Sequence, residues 1–187
     1  MKKKHRIFIA INFPDNIKKH LAEFQKEWID LPARWTSADN LHITLVFLGY
    51  LTGIQIGEAC RIAKEVSKKH KSFSIVLNKV SYGPAEKIPP RMIWVNGEKS
   101  KELSLLRKNL EESLAENINF KPENKNFSPH ITLARIKTTE WRAINPEERP
   151  EVDKNIDLIL PVESIEVMES KLTRNGPGYT IIESMPL

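Results

Sequence analysis

A chain of 187 residues suits one domain or two small lobes sharing a core, and 40% hydrophobic with 28% charged residues is a globular mixture rather than a disordered one. No apolar run approaches the roughly 20 residues of a membrane span. The basic start Met1-Lys2-Lys3-Lys4 leads into a strand pattern rather than a signal-peptide core, so a cytoplasmic protein without membrane contact is expected. The balance of 29 Lys and Arg against 24 Asp and Glu gives a net charge of +5, which suits an anionic partner, and the lone Cys60 rules out an internal disulfide.

The first predicted element is a strand over Arg6–Phe13, with Ile7, Ile9, Ile11 and Phe13 on one face and Phe8, Ala10 and Asn12 on the other. Pro14-Asp15 breaks it. Ile17, Leu21, Phe24 and Trp28 then follow at helical spacing up to Pro32. Leu41–Leu48 reads as a strand stopped by Gly49. Thr52-Gly53-Ile54-Gln55 has the form of a capping box for a helix from about Ile54 to Lys69, on which Cys60 reads as a buried small hydrophobe. Phe73–Val80 and Arg91–Asn96 read as strands around the Ile88-Pro89-Pro90 loop. Ser100 caps a helix striped by Leu103, Leu106, Leu110 and Leu114. A strand over His130–Ile136 follows. Residues 137–154 are polar, with Pro146 and Pro150, and read as a surface connection with a helical turn at most. Strands over 156–162, 164–172 and 179–182 close the chain, the last two joined by a turn at Asn175-Gly176-Pro177-Gly178. This order implies an α+β fold with mainly antiparallel sheet.

One feature stands apart from this pattern. The tetrapeptide His-Ile-Thr-Leu occurs twice, at His42–Leu45 and His130–Leu133, about half a chain apart. On a strand His42 and Thr44 share one face while Ile43 and Leu45 anchor the other; His130 and Thr132 stand likewise against Ile131 and Leu133. If the strands are neighbours, two imidazoles and two hydroxyls converge. A neutral imidazole takes a proton from a nucleophile and a protonated one gives a proton to a leaving oxygen. The hydroxyls can donate to phosphate oxygens. Two ordinary β-rich strands are the plainer reading. A metal site is a third, but it lacks ligands: two positions past each threonine-bearing pair, parity offers only Val46 and Ala134. His5, His20 and His70 have no comparable neighbours and read as surface residues.

With these residues in view the chain resembles the 2H phosphoesterase superfamily, and within it the RNA 2′,3′-cyclic phosphodiesterases, also called 2′-5′ RNA ligase-like proteins. The resemblance rests on RIFIAINF at the start, Arg34-Trp35, NLHITLVFLG at Asn40–Gly49, PPRMIWV, FSPHITLAR at Phe127–Arg135 and ESKLTRNGPGYTII near the end. It implies one domain over 1–187 built of two intertwined lobes, with two mainly antiparallel sheets and flanking helices around a central cleft and one motif per lobe. It implies hydrolysis of a terminal 2′,3′-cyclic phosphate to a 2′-phosphomonoester, with His130 as proton acceptor, His42 as proton donor, and Thr44 and Thr132 holding phosphate oxygens. No metal or cofactor is implied, and the expected partner is an RNA end or a small cyclic nucleotide, bound by a monomer. Arg135 takes the place of a phosphate-binding arginine. Strand parity sends it away from His130, so a bulge or the strand end must re-aim it, or it acts at one remove. Phe8, opposite the apolar stripe of its strand, is a candidate to stack on a base or to pack under a helix; Trp35 is a weaker candidate of the same kind. Ligation by the reverse reaction and RNA binding without catalysis remain as alternatives.

Overall fold

A computed structural model of the protein describes residues 3–118, 120–122, 127–173 and 176–187. Its strands are β1 (Lys4–Asn12), β2 (Ala33–Trp35), β3 (His42–Thr52), β4 (Phe73–Gly83), β5 (Met92–Gly97), β6 (His130–Ile136), β7 (Asp153–Val162), β8 (Ser164–Thr173) and β9 (Gly176–Pro186). Its helices are α1 (Asp15–Glu23), α2 (Gly53–Ser67), α3 (Lys101–Asn117) and α4 (Thr138–Ala143). The strands run in the order β7-β4-β5-β6-β3-β1-β8-β9, with β2 also on β6, and neighbours are antiparallel. The sheet divides naturally in two. The half containing β1 and β3 meets the half containing β5 and β6 where β3 and β6 pair at Ile43 opposite Ile131.

The main core lies on one side of this sheet. Ile7, Ile9 and Ile11 of β1, Ile43, Ile131 and the leucine stripe of α3 are buried together with Ile62, Ala63 and Val66 of α2. Both helices start on the side chains expected to cap them: Thr52 and Gln55 form a reciprocal capping box, and Ser100 Oγ accepts from the Leu103 amide at 3.0 Å. The opposite face of β1 is also buried, by a small cluster of Phe8, Ala10 and Met168 with Tyr179 packed on it. No helix among the described residues is long and apolar enough to cross a membrane.

Several elements depart from their sequence pattern. The helix expected to run to Trp28 is α-helical only to Glu23 and tightens into a 3-10 turn over Phe24–Trp28. Gly49 does not stop β3. It takes φ +75°, and the strand continues to Thr52 through a bulge, with Ile7 opposite Gly49 and Phe8 opposite Phe47. The short β2, with no apolar alternation of its own, forms by pairing with β6. The connection over 137–154 holds α4, a 3-10 turn at Pro146–Glu148 and the start of β7. The last hairpin pairs as far as Thr173 opposite Gly176, tighter than expected; Asn175 of the expected turn lies outside the described residues.

Two further bulges position the site. Opposite β1, Thr44 faces Ala10 and Val46 faces Ile9, so Leu45 is the extra residue. Opposite β5, Thr132 faces Trp94 and Ala134 faces Ile93, so Leu133 is the extra residue. The two tetrapeptides therefore bulge at the same position. Beyond each bulge the alternation flips: Val46 and Ala134 join the core, and Phe47 and Arg135 come onto the histidine face.

Candidate active site

Counting outward from the Ile43–Ile131 pair sets His42 opposite Thr132 and Thr44 opposite His130, around a local two-fold. The isoleucines and the following leucines are buried, and the four polar side chains are half-buried on the other face. Both imidazoles are held in the same way. His42 Nδ1–H donates to the Asn40 carbonyl and His130 Nδ1–H to the Ser128 carbonyl, each at 2.7 Å and each two residues upstream. This fixes the tautomer and leaves each Nε2 to the site. His42 Nε2 lies 3.0 Å from Thr44 Oγ1.

Aromatic neighbours hold the rings, differently on the two sides. His42 sits against Phe8, centroids 5.1 Å apart, and edge-on to Tyr179 at 5.0 Å. His130 stacks on the Trp94 indole at 3.8 Å and 25°. Trp94 in turn lies flat on Gly83, where a Cβ would come within 2.2 Å of the indole; only a glycine backbone permits that approach. The indole Nε1 is buried and has no hydrogen-bond partner among the described residues.

Burial dominates the electrostatics. It lowers the His42 pKa to about 4 against the raising effect of the Asn40 carbonyl, and positive charge on Lys18 and on His130 lowers it further. Burial also lowers His130, opposed by the Ser128 carbonyl. A charge on His130 is therefore felt at His42. With both lowered, the two rings are neutral near pH 7 in the free protein, and a bound anion would help to protonate either.

Arg135 stands directly opposite Met92, on the face that carries Trp94, and Nη1 approaches Met92 Sδ at 3.7 Å. The Leu133 bulge is thus what re-aims it, and simple parity, which pointed it away, is corrected. Arg34 of β2 is its other cross-strand neighbour, and both are exposed. Like charges set directly opposite repel, and an anion between them removes the penalty. Phe8 is on the site face but only 3% exposed, so it supports His42 from beneath and has no open face for a base. Trp35 pairs with the buried Ala134 and packs on the main core, away from the site. His5 and His70 are half-buried rather than on the surface, hydrogen-bonded to Glu169 and Asn109, while His20 is exposed.

Sequence reasoning passed over Trp94, Gly83, Tyr179 and Lys18. Trp94 had a signal: counting parity along Met92–Asn96 puts it on the face of its strand opposite Ile93 and Val95. Lys18 carried none, because its burial and its 2.8 Å bond to the Asp39 carbonyl depend on how α1 folds back. Among the described residues no group of three or more His, Cys, Asp or Glu side chains converges as metal ligands.

The LigT-like phosphoesterase family matches the chain twice, over residues 11–94 and 95–179, and each match contains one tetrapeptide. A protein of Aquifex aeolicus named RNA 2′,3′-cyclic phosphodiesterase is 32% identical, with 97% of each chain covered. A protein of the same name from Methanocaldococcus jannaschii is 30% identical, covering 95% of this chain and 98% of its own. Among solved structures, one from Thermus thermophilus superposes with a TM-score of 0.83 at 26% identity over 97% of both chains. Escherichia coli LigT complexed with 3′-AMP shares the fold, with a TM-score of 0.77 at 21% identity over 99% of both. Double matching, near-complete coverage and identities at or above 30% show that this chain belongs to the LigT-like phosphoesterase family.

Proposed function

We propose that the protein hydrolyses the terminal 2′,3′-cyclic phosphodiester of an RNA to a 2′-phosphomonoester, with His130 as base and His42 as acid. One observation carries this reading: two imidazoles with identical Nδ1–H bonds to upstream carbonyls present their Nε2 atoms on one face across a seam of the sheet. The names of the relatives agree with it.

The reaction uses these groups in sequence. Neutral His130 Nε2 accepts a proton from water as its oxygen attacks phosphorus. The P–O3′ bond breaks, and the 3′ oxygen takes its proton from Nε2 of protonated His42. The products are a 2′-phosphomonoester and a free 3′ hydroxyl, and proton exchange with solvent resets the rings. Thr44 and Thr132 donate to the non-bridging oxygens, and Arg135 with Arg34 supplies positive charge beside them. The substrate's negative charge raises the pKa of His42 and so brings the acid into its protonated form. All these groups belong to one chain, which supports action as a monomer, and the buried Cys60 fits a reducing compartment such as the cytoplasm.

The test is product analysis on an oligoribonucleotide ending in a 2′,3′-cyclic phosphate. A 2′-phosphate product is expected, with activity that survives a chelator. His42→Ala and His130→Ala should each lose about 10²- to 10⁴-fold in kcat while keeping the fold. Full activity in either variant overturns the assignment, and activity lost to the chelator and restored by zinc would replace it with a metal mechanism.

A further inference from the structure

Past Thr44 the site face of the β3 half continues as two cross-strand rows. The first runs Phe47, Phe8, Met168, Ile181, and the second Tyr50, Arg6, Ser170, Tyr179. Phe8 and Met168 of the first row are buried, whereas Phe47 is 53% and Tyr50 67% exposed. Scattered exposed apolar residues are ordinary on any protein. These two are successive on one strand face, begin beside the His42–Thr44 pair, and flank an exposed guanidinium. Among the described residues Arg6 has no ion pair or hydrogen bond through its side chain.

We propose that this surface binds the nucleotides preceding the cyclic end of a single-stranded RNA, with bases stacked on Phe47 and Tyr50 and a phosphodiester held by Arg6. The proposal rests on the phosphodiesterase reading. The β1 partners of Thr44, Phe47 and Tyr50 are Ala10, Phe8 and Arg6, so at about 3.3 Å per residue Phe47 lies roughly 7 Å and Tyr50 roughly 13 Å from Thr44 along the sheet. An RNA whose last phosphate sits at the threonines and which follows this strand therefore passes over both rings. Aromatic faces accept any base, and an unpaired arginine among them suits a chain with a charge at every step. A second protein copy fits less well, because the row around Arg6 consists of tyrosines and a serine and offers no carboxylate to meet it.

The position has a counterpart. Around the local two-fold, Phe47 and Arg135 stand at the same place after their bulges, each three residues past its threonine. The phenylalanine marks the side on which bases lie, and the arginine marks the side for charge.

The experiment compares a mononucleoside 2′,3′-cyclic phosphate with a trinucleotide carrying the same end. Wild-type protein should show a kcat/KM on the trinucleotide at least about tenfold higher, from the gain per stacked base. Tyr50→Ala should remove most of this gain through KM, and Arg6→Gln should flatten the salt dependence of the trinucleotide KM. Both should keep wild-type kinetics on the mononucleotide. Equal kcat/KM on the two substrates, or equal losses on both in Tyr50→Ala, overturns the subsite while leaving the phosphodiesterase reading intact. No turnover of either substrate overturns that reading instead. The subsite is then judged by binding of a fluorescent trinucleotide ending in a 2′-phosphate, and binding no tighter than the mononucleotide's refutes it. A wild-type dimer that becomes monomeric in Tyr50→Ala, with an unchanged trinucleotide KM, assigns the surface to a second copy and refutes it as well.

Discussion

His42 and His130 have the same backbone anchor but unequal surroundings, and the difference bears on their roles. As the proposed general acid His42 must be protonated in the complex, yet burial holds it near 4 in the free protein. The bound phosphate must therefore raise it, by the same Coulombic effect that Lys18 and His130 exert in the opposite direction. The expected outcome is a bell-shaped pH–rate profile whose alkaline limb lies at higher pH for kcat, which reports the complex, than for kcat/KM, which reports the free enzyme. Coincident alkaline limbs would mean that substrate charge does not tune the acid. On the other side, the stacked indole of Trp94 holds the His130 ring in place, and Gly83 leaves room for that indole. Gly83→Ala forces the indole off its seat. It should cost about 1–3 kcal/mol of stability by overpacking and lower kcat more than tenfold through displacement of the base. Denaturant midpoints measured beside steady-state rates would check both. An unchanged kcat would show that Trp94 does not position His130.

At the level of elements, the bulges decide what strand alternation alone cannot. Period-two reading placed His42 with Thr44 and His130 with Thr132 on common faces, because no irregularity falls within those three residues. It failed one step later. Leu45 and Leu133 each add a residue against their partner strands, so Val46 and Ala134 sink into the core while Phe47 and Arg135 emerge. Such a bulge is set by the pairing of two strands distant in sequence, and neither strand announces it alone. Only Gly49 carried a local mark, and its φ of +75° bends β3 where a stop was expected. The capped helices α2 and α3 were legible because their signals are local: a hydroxyl at the cap and a leucine every three or four residues. Phe8 shows the limit from the other direction. Its face was read correctly as opposite to the apolar stripe, but Met168 and Tyr179, which bury it, arrive from β8 and β9 more than 150 residues later. In the same way the 3-10 turn after Glu23 and the three-residue β2 answer to tertiary contacts, such as the two bonds from Gln25 Nε2 to the Thr36 and Leu133 carbonyls.

For the molecule as a whole, the site lies on the seam between two half-sheets, so its ionisation is linked to their union. The His42 pKa is near 4 in the folded chain and near the ordinary 6.5 when unfolded. Above pH 6.5 both states are neutral and the group contributes no pH dependence. Between about 6.5 and 4 the unfolded chain binds a proton that the folded chain refuses, so stability falls as pH falls; below 4 both are protonated and the loss is complete. His42 alone accounts for a loss on the order of 3 kcal/mol, and His130 adds to it in the same direction. Glu169, whose pKa is lowered by His5 and Lys171, also destabilises the fold in acid, but only nearer the carboxylate range. The interval from pH 6.5 to 5 therefore belongs mainly to the imidazoles. Thermal midpoints should fall across it in the wild type and much less in His42→Asn. A dianion bound between the motifs favours the protonated rings, so the rise in midpoint from inorganic sulfate, whose charge is constant over this range, should grow as pH falls through the same interval. A flat wild-type midpoint from pH 6.5 to 5, or a ligand effect that shrinks with acid, would mean that these rings do not couple the seam to the charge of its substrate.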